Sequence, residues 1–251
     1  MKTQNAVRMK RQLDREKQEY LLEKEMNTFL STTEERIMSV DLLCQLSGIP
    51  VENYNRDRIK MYFCMIRINK ESYENKNFRQ VDYELIRFSI KNVFYELESE
   101  CKKFIVNSLS DHNYLYALFL GKDEKSVREE IERIFLKMRS VLENKMDIYL
   151  TFGVSRPAVQ MRGRAVQEAK EALNQRIIYG NSNIYFHEDI VIWNEQEFPR
   201  TQIYLLRQYM EKSEADKIQE LLHEIFSEEL VKKYGSSYLR IMWVRILNMI
   251  F

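Results

Sequence analysis

The residues that could do chemistry gather in two short stretches, Ser110-Asp111-His112-Asn113 and Gly153-Val154-Ser155-Arg156-Pro157. In the second, Ser155, Arg156 and the neighbouring amides could hold a phosphate, whose usual partners are hydroxyl, guanidinium and backbone N–H groups. One arginine without a glycine-rich nest makes a poor cradle. Ser155 with His187 is no nucleophile pair either, because no Gly-x-Ser-x-Gly elbow surrounds the serine. In the first stretch Asp111 stands among turn formers and reads as a turn residue. His112, His187 and His223 have no ligand-like spacing to one another or to Cys44, Cys64 and Cys101. The cysteines are odd in number and scattered in apolar or helical settings, the pattern of buried reduced thiols in a cytosolic protein. These residue types lead us to expect no catalytic site, no cofactor and no metal.

Both stretches must be positioned by strands. An apolar run over 61–69 reads as a buried central strand, and a helix over 81–100 places Ile86, Ile90, Val93 and Leu97 on one face. Strands over 103–109 and 114–120 form a hairpin around Ser110–Asn113. A helix over 123–144 carries Val127, Ile131, Ile134, Met138 and Val141. A strand over 146–153 stops at Gly153 and Pro157, and the next helix lines up Val166, Ala169, Leu173 and Ile177. Gly180 and Asn181 suit its left-handed C-terminal position, and a last strand covers 183–187. The order is strand, helix, hairpin, helix, strand, helix, strand. It predicts an α+β fold, a sheet of about five strands, partly antiparallel, with helices packed on it.

Helical extensions flank this core. A charged helix over 4–30 offers Met9, Leu13, Tyr20, Met26 and Phe29, which suits a weak coiled-coil seam or a linker, or a solvated helix packed on its own domain. Thr32-Thr33-Glu34-Glu35 is a capping box ahead of Ile37, Val40, Leu43 and Leu46, and Gly48 and Pro50 stop that helix. Past Ile190 only helices are expected. Pro199 suits a first turn before Ile203, Leu206 and Met210. Ser213 to Asp216 reads as a cap, and Gly235 resets the chain for an apolar helix containing Trp243 and Leu247. A helix apolar all round needs cover on all sides. Because the chain ends in it without a C-cap, the sequence reads as a fragment. The expected divisions are residues 1–57, 58–192 and 193–251. Met9, Leu13, Tyr20, Met26, Trp243 and Leu247 are the candidate dimer-interface residues.

Charge narrows the function classes. With 39 Lys and Arg against 38 Asp and Glu, the 251-residue chain has a net charge of +1 and no basic stripe, unlike a nucleic-acid binder. No apolar run approaches the roughly 20 residues that span a bilayer, and no signal peptide is visible. A cytoplasmic protein without membrane contact is expected. The 15 Tyr and 13 Phe fall mostly at core positions, where packing is their ordinary role.

A family resemblance rests on several of these stretches. Gly153 to Pro157, the helix Gln167-Glu168-Ala169-Lys170-Glu171-Ala172-Leu173, Tyr179-Gly180 and Tyr185-Phe186 resemble the end of a degenerate cyclase-homology domain. That domain is GGDEF-like in fold, without the catalytic sequence, and lies in the middle of AraC-family response regulators. In element order the resemblance runs from Met1 to Ile190. It implies a nucleotide-cyclase, ferredoxin-like sheet. An active member carries a Gly-Gly-Asp/Glu-Glu-Phe turn between the middle strands, with a second metal-binding acid at the end of the first strand. Here the matching turn is Ser110–Asn113, with no glycine and one carboxylate, and Arg67, Ile68 and Asn69 stand where the second acid belongs.

The resemblance therefore implies no enzyme but a signal-transducing, dimeric region of a two-component transcriptional regulator. An upstream receiver or sensor would feed it, and helix-turn-helix units outside the chain would bind DNA. The rival readings are a nucleotide or small-molecule sensor of cyclase ancestry, with Ser155 and Arg156 in its ligand loop, and a divergent nucleotidyl cyclase.

Overall fold

The strand Lys60–Ile68 (β1) is buried along nearly its whole length on both faces, which makes it the centre of a sheet covered twice. In the computed structural model, which describes residues 20, 23–30, 36–47, 59–72, 80–190 and 199–250, β1 pairs antiparallel with Tyr114–Gly121 (β3) and with Leu150–Val154 (β4). Lys102–Asn107 (β2) adds to the outside of β3, and Ile184–Phe186 (β5) adds parallel to β4. The order β2-β3-β1-β4-β5 contains the split β-α-β arrangement of a ferredoxin-like sheet, extended by one parallel strand. The expected α+β class and all five strands are present.

Alternation along β1 divides the core. Tyr62, Cys64, Ile66 and Ile68 face the helices Gln80–Glu96 (α3) and Glu124–Met146 (α4), packing with Ile90, Phe94, Ile131 and Phe135. Met61, Phe63 and Met65 point the other way. There they meet Met26 and Phe29 of a helix at residues 23–30 (α1), Leu42 and Leu43 of Val40–Ser47 (α2), and Ala169 and Leu173 of Gly163–Asn174 (α5). Sequence reading draws a boundary at residue 57, yet the described helical residues before it close the second face of the sheet. The edge strand is also occupied: Asn107 N–H donates to Glu23 Oε1 at 2.6 Å and Leu109 N–H to Asn27 Oδ1 at 2.9 Å. Polar side chains of α1 thus cap the groups β2 would otherwise present for pairing.

Two expected boundaries move. The helix α4 continues to Met146 and ends at Asp147, left-handed at φ 53°, whose N–H donates to Glu143 O and Leu142 O. Residues 146–149 therefore belong to the helix end and its exit, and β4 begins only at Leu150. The second change follows α5, which stops at Asn174; a single turn, Arg176–Tyr179 (α6), follows, and Ile177 is 63% exposed rather than in line with Ala169 and Leu173. Gly153 has a packing reason. A Cβ there would lie 2.2 Å from Ala169 O and 2.6 Å from Leu173 N, so only glycine lets β4 approach α5 this closely.

A second unit comprises residues 174–180 and 189–251, of which α7 (Arg200–Glu211), α8 (Ala215–Ile225) and α9 (Glu228–Ile250) are its long helices. Leu206, Leu221, Ile225, Tyr238, Met242 and Ile246 form its core, and Tyr238 Oη donates to Ile225 O at 2.9 Å. Gly235, at φ +76°, breaks the helical path of α9 where a reset is expected. Pro199 sits at the N-cap, one residue before the helix. The expected serine cap of α8 is absent: Ser213 is left-handed at φ 55°, and Glu214 holds the N-cap position, its carboxylate 2.9 Å from Lys217 Nζ. Cover on all sides of α9 does not hold either. Within the described residues Met242 and Ile246 are buried, while Trp243, Val244, Leu247 and Ile250 stay exposed. No described helix is long and apolar enough to cross a membrane.

Candidate functional site

Ile68, the last residue of β1, donates its N–H to Asn113 O at 2.8 Å, so the strand end and the β2–β3 turn are neighbours. These are the two segments that the sequence resemblance matches to the metal-binding acids of an active cyclase. Asn69 follows, fully buried, and its amide is committed in both directions. Thr151 Oγ1 donates to Asn69 Oδ1 at 2.8 Å, and Asn69 Nδ2 donates to Ser182 Oγ at 3.3 Å. Ser182 N–H closes the ring by donating to Thr151 Oγ1 at 3.0 Å. Beside it, Tyr149 N–H donates to Ser72 Oγ at 2.9 Å and Ser72 N–H to Asn69 O at 3.1 Å. Asn69, Thr151 and Ser72 are buried and neutral, and among the described residues the one charge that touches the ring is a cation, Arg139, which donates Nη1–H to Ser182 O at 2.5 Å. Mg²⁺ asks for carboxylate and phosphate oxygens, so these residues do not fit it.

The turn itself is closed on its own groups. Asp111 Oδ1 accepts from Asn113 N–H at 2.9 Å and from Asn113 Nδ2 at 3.0 Å, an Asx-type turn that occupies one carboxylate oxygen. Asp111 N–H donates to Ser108 Oγ at 3.1 Å, and Tyr116 Oη reaches the same hydroxyl at 3.3 Å. Behind it lies Arg87 of α3, 4% exposed, which donates Nη2–H to Ser108 O and Nη1–H to Glu84 Oε1 at 3.3 Å. Nη1 also lies 3.3 Å from His112 Nδ1. A guanidinium only donates, so Nδ1 accepts and the His112 proton sits on Nε2. The turn is braced by a buried cation from the neighbouring helix.

The loop after β4 is occupied in the same way. Ser155 is buried; its Oγ accepts from Phe63 N–H at 3.0 Å and donates to Arg156 O at 2.9 Å. That hydroxyl stitches the loop to β1. Where Ser155 and Arg156 could have held a phosphate, an internal carboxylate, Glu168 of α5, takes the place. Glu168 Oε2 accepts from Arg156 N–H at 3.1 Å, and its Oε1 lies 3.2 Å from Arg164 Nε. Arg156 Nε–H donates to His187 Nδ1 at 3.0 Å, leaving His187 Nε2–H, 3.0 Å away, to donate to Glu171 Oε2. Arg156 and His187 are thus brought together, but as a structural chain between β4 and α5.

Arg87, Glu168 and Glu171 escape the sequence reading because each pairs across elements distant in the chain. Any local signal is weak: Glu168 and Glu171 share a helix stripe with Arg164. Of the expected dimer residues, Met9 and Leu13 lie outside the described residues and Tyr20 is exposed. Met26 is 0% exposed inside the sheet's second layer, so it is core rather than interface. Trp243 and Leu247 do stand on the exposed side of α9. Cys44, Cys64 and Cys101 are all buried, and burial pushes the Cys101 thiol up to about 11. Among the described residues no three His, Cys, Asp or Glu side chains converge as metal ligands.

No family model matches this chain, and no curated protein matches it. Among solved structures it is similar to the GGDEF domain of FimX from Pseudomonas aeruginosa, at TM-score 0.41 and 15% identity over 61% of this chain and 99% of that one. It is also similar to SnoaB, a cofactor-independent oxygenase from Streptomyces nogalater, at TM-score 0.24 and 10% identity over 39% of this chain and 90% of that one. Neither likeness is close enough to transfer a role to a residue here.

Proposed function

We propose that this chain is a non-catalytic regulatory module of cyclase ancestry, the dimerising middle region of an AraC-type response regulator. It would relay an upstream signal to helix-turn-helix DNA-binding units outside the chain. The observation that supports the reading is the hydrogen-bonded ring around Asn69, at the strand end where the resemblance puts a metal-binding acid. Carboxylate-bound Mg²⁺ is what positions and activates nucleotide phosphates in such chemistry, and it has no seat here. What is left is a rigid sheet braced on both faces, suited to transmitting force rather than turning over substrate.

Self-association gives such a relay its output. Trp243, Leu247 and Ile250 expose an apolar stripe on α9. Covering one large apolar side chain contributes about 1.5–3 kcal/mol, so pairing of two copies through this stripe is strongly favoured. Sedimentation of the chain and of a version truncated before Gly235 tests it. The full chain is expected to sediment as a dimer and the truncated form as a monomer; a monomer at tens of micromolar in both overturns the dimer. For the wider architecture, the open reading frame is the check: a receiver and paired helix-turn-helix units encoded with this chain are expected, and their absence overturns that assignment.

A further inference from the structure

Between α7 and α9 runs a trough of about 810 Å³ whose chemistry the regulatory reading does not use. Half of its lining is apolar or aromatic, Ile203 and Tyr204 from α7 and Ile241, Val244 and Met249 from α9, and Asn248 is its one uncharged polar side chain. Its walls carry Arg200, Arg207, Arg240 and Arg245, and no described lining residue is acidic. The charge pattern is built into the sequence. All seven acids of residues 199–250 fall between Glu211 and Glu229, whereas residues 230–250 hold four bases and no acid. Arg207 shares Glu211 at 3.3 Å, both well exposed, so that contact leaves the guanidinium largely in water.

We infer that this trough is a docking site for an acidic amphipathic helix of a partner protein. Shape supports a helix. From Arg200 to Arg207 α7 rises about 10 Å, and from Arg240 to Met249 α9 rises about 14 Å, enough for two turns of a third helix laid between them. An apolar lining flanked by cations receives apolar side chains at i, i+3 or i+4 and i+7 with Asp or Glu beside them. A small ligand is less suited, since two walls cannot bury most of its surface. A second copy is a poor occupant as well. Two troughs face to face would set arginine against arginine, and the chain's own acidic helix, α8, already buries Leu221 and Ile225 in its unit's core. Nucleic acid would use the arginines but not the apolar half of the lining.

Selection from a displayed library of 16-residue helical peptides, randomised at flanking and apolar positions, tests this on the full chain. Winners with apolar residues at helical spacing and net negative flanks are expected. Their binding should fall at least tenfold on Arg200→Glu with Arg240→Glu, two surface changes whose folding is checked by circular dichroism, and should be unaffected by Lys125→Glu, an exposed charge reversal on α4 outside the trough. Weakening with added salt is also expected. Winners that are neutral or basic, indifference to the arginine changes, or displacement of the peptides by a single- or double-stranded oligonucleotide would each overturn the inference.

Discussion

Thr151 Oγ1 donates to Asn69 Oδ1 at 2.8 Å, and both residues are fully shielded from water. The amide is a working part of the fold: it links the end of β1 to β4 and, through Ser182, to the approach to β5. An isosteric acid would keep the shape and change only the charge. We expect Asn69→Asp to destabilise the protein by about 1–3 kcal/mol at pH 7, because burial disfavours the carboxylate. Burial raises such a pKa, so the penalty should fade as pH drops and the group protonates. Urea midpoints at pH 7 and pH 5 check this; equal losses at both would contradict it.

Gly153 and Gly180 separate two reasons for glycine. A methyl at Gly153 meets backbone atoms of Ala169 and Leu173, neither of which can rotate away, whereas Gly180, at φ +90°, has open space around it. Gly153→Ala should therefore lower stability by about 3 kcal/mol or more through overpacking, and Gly180→Ala, at φ 90° and ψ 174°, by about 1–3 kcal/mol through backbone strain alone. Thermal denaturation of the pair, with the ranking reversed, would refute the assignment.

Glu130 ties α4 to the loop before β2. Arg133 donates to both its oxygens, and Glu100 N–H donates at 3.1 Å, which holds the carboxyl down at about 2 against an ordinary 4.5. A depressed carboxyl stabilises the fold above its unfolded value and loses that contribution as pH falls from about 4.5 through about 2. Glu130→Gln should cost about 1–3 kcal/mol at pH 7 and leave a flatter acid limb. A variant whose stability falls with acid as steeply as the parent would show that Glu130 is not the group responsible.

The strands and long helices are readable from local pattern because their apolar runs coincide with burial. The run over 61–69 is β1, and the turn chemistry of Ser110 to Asn113 reappears in the Asp111–Asn113 bonds. Failure comes where apolar residues run on through a change of element. Met146 and Ile148 look like a strand, but Asp147 turns left-handed and the helix end takes them. Ile177 keeps the period of α5, but α5 ends at Asn174 and Ile177 belongs to the separate turn that starts at Arg176. Met26 looks like a seam residue because a sparse apolar face is all its helix shows; the partner that buries it is the sheet, more than thirty residues later. The site was half legible. The missing acids could be read against the family resemblance, whereas Arg87 of α3 pairs with Ser108 of the turn and Glu168 of α5 with Arg156, partners on other elements that only the i,i+4 neighbour Arg164 hints at.

Incubation with GTP and Mg²⁺ or Mn²⁺ is the most direct test of a closed, non-catalytic site, with product separated by chromatography. No turnover is expected from the full chain, nor from Asn69→Asp, since one acid restores neither the glycine turn nor its partner. Product formation that Asp111→Ala abolishes would contradict the account.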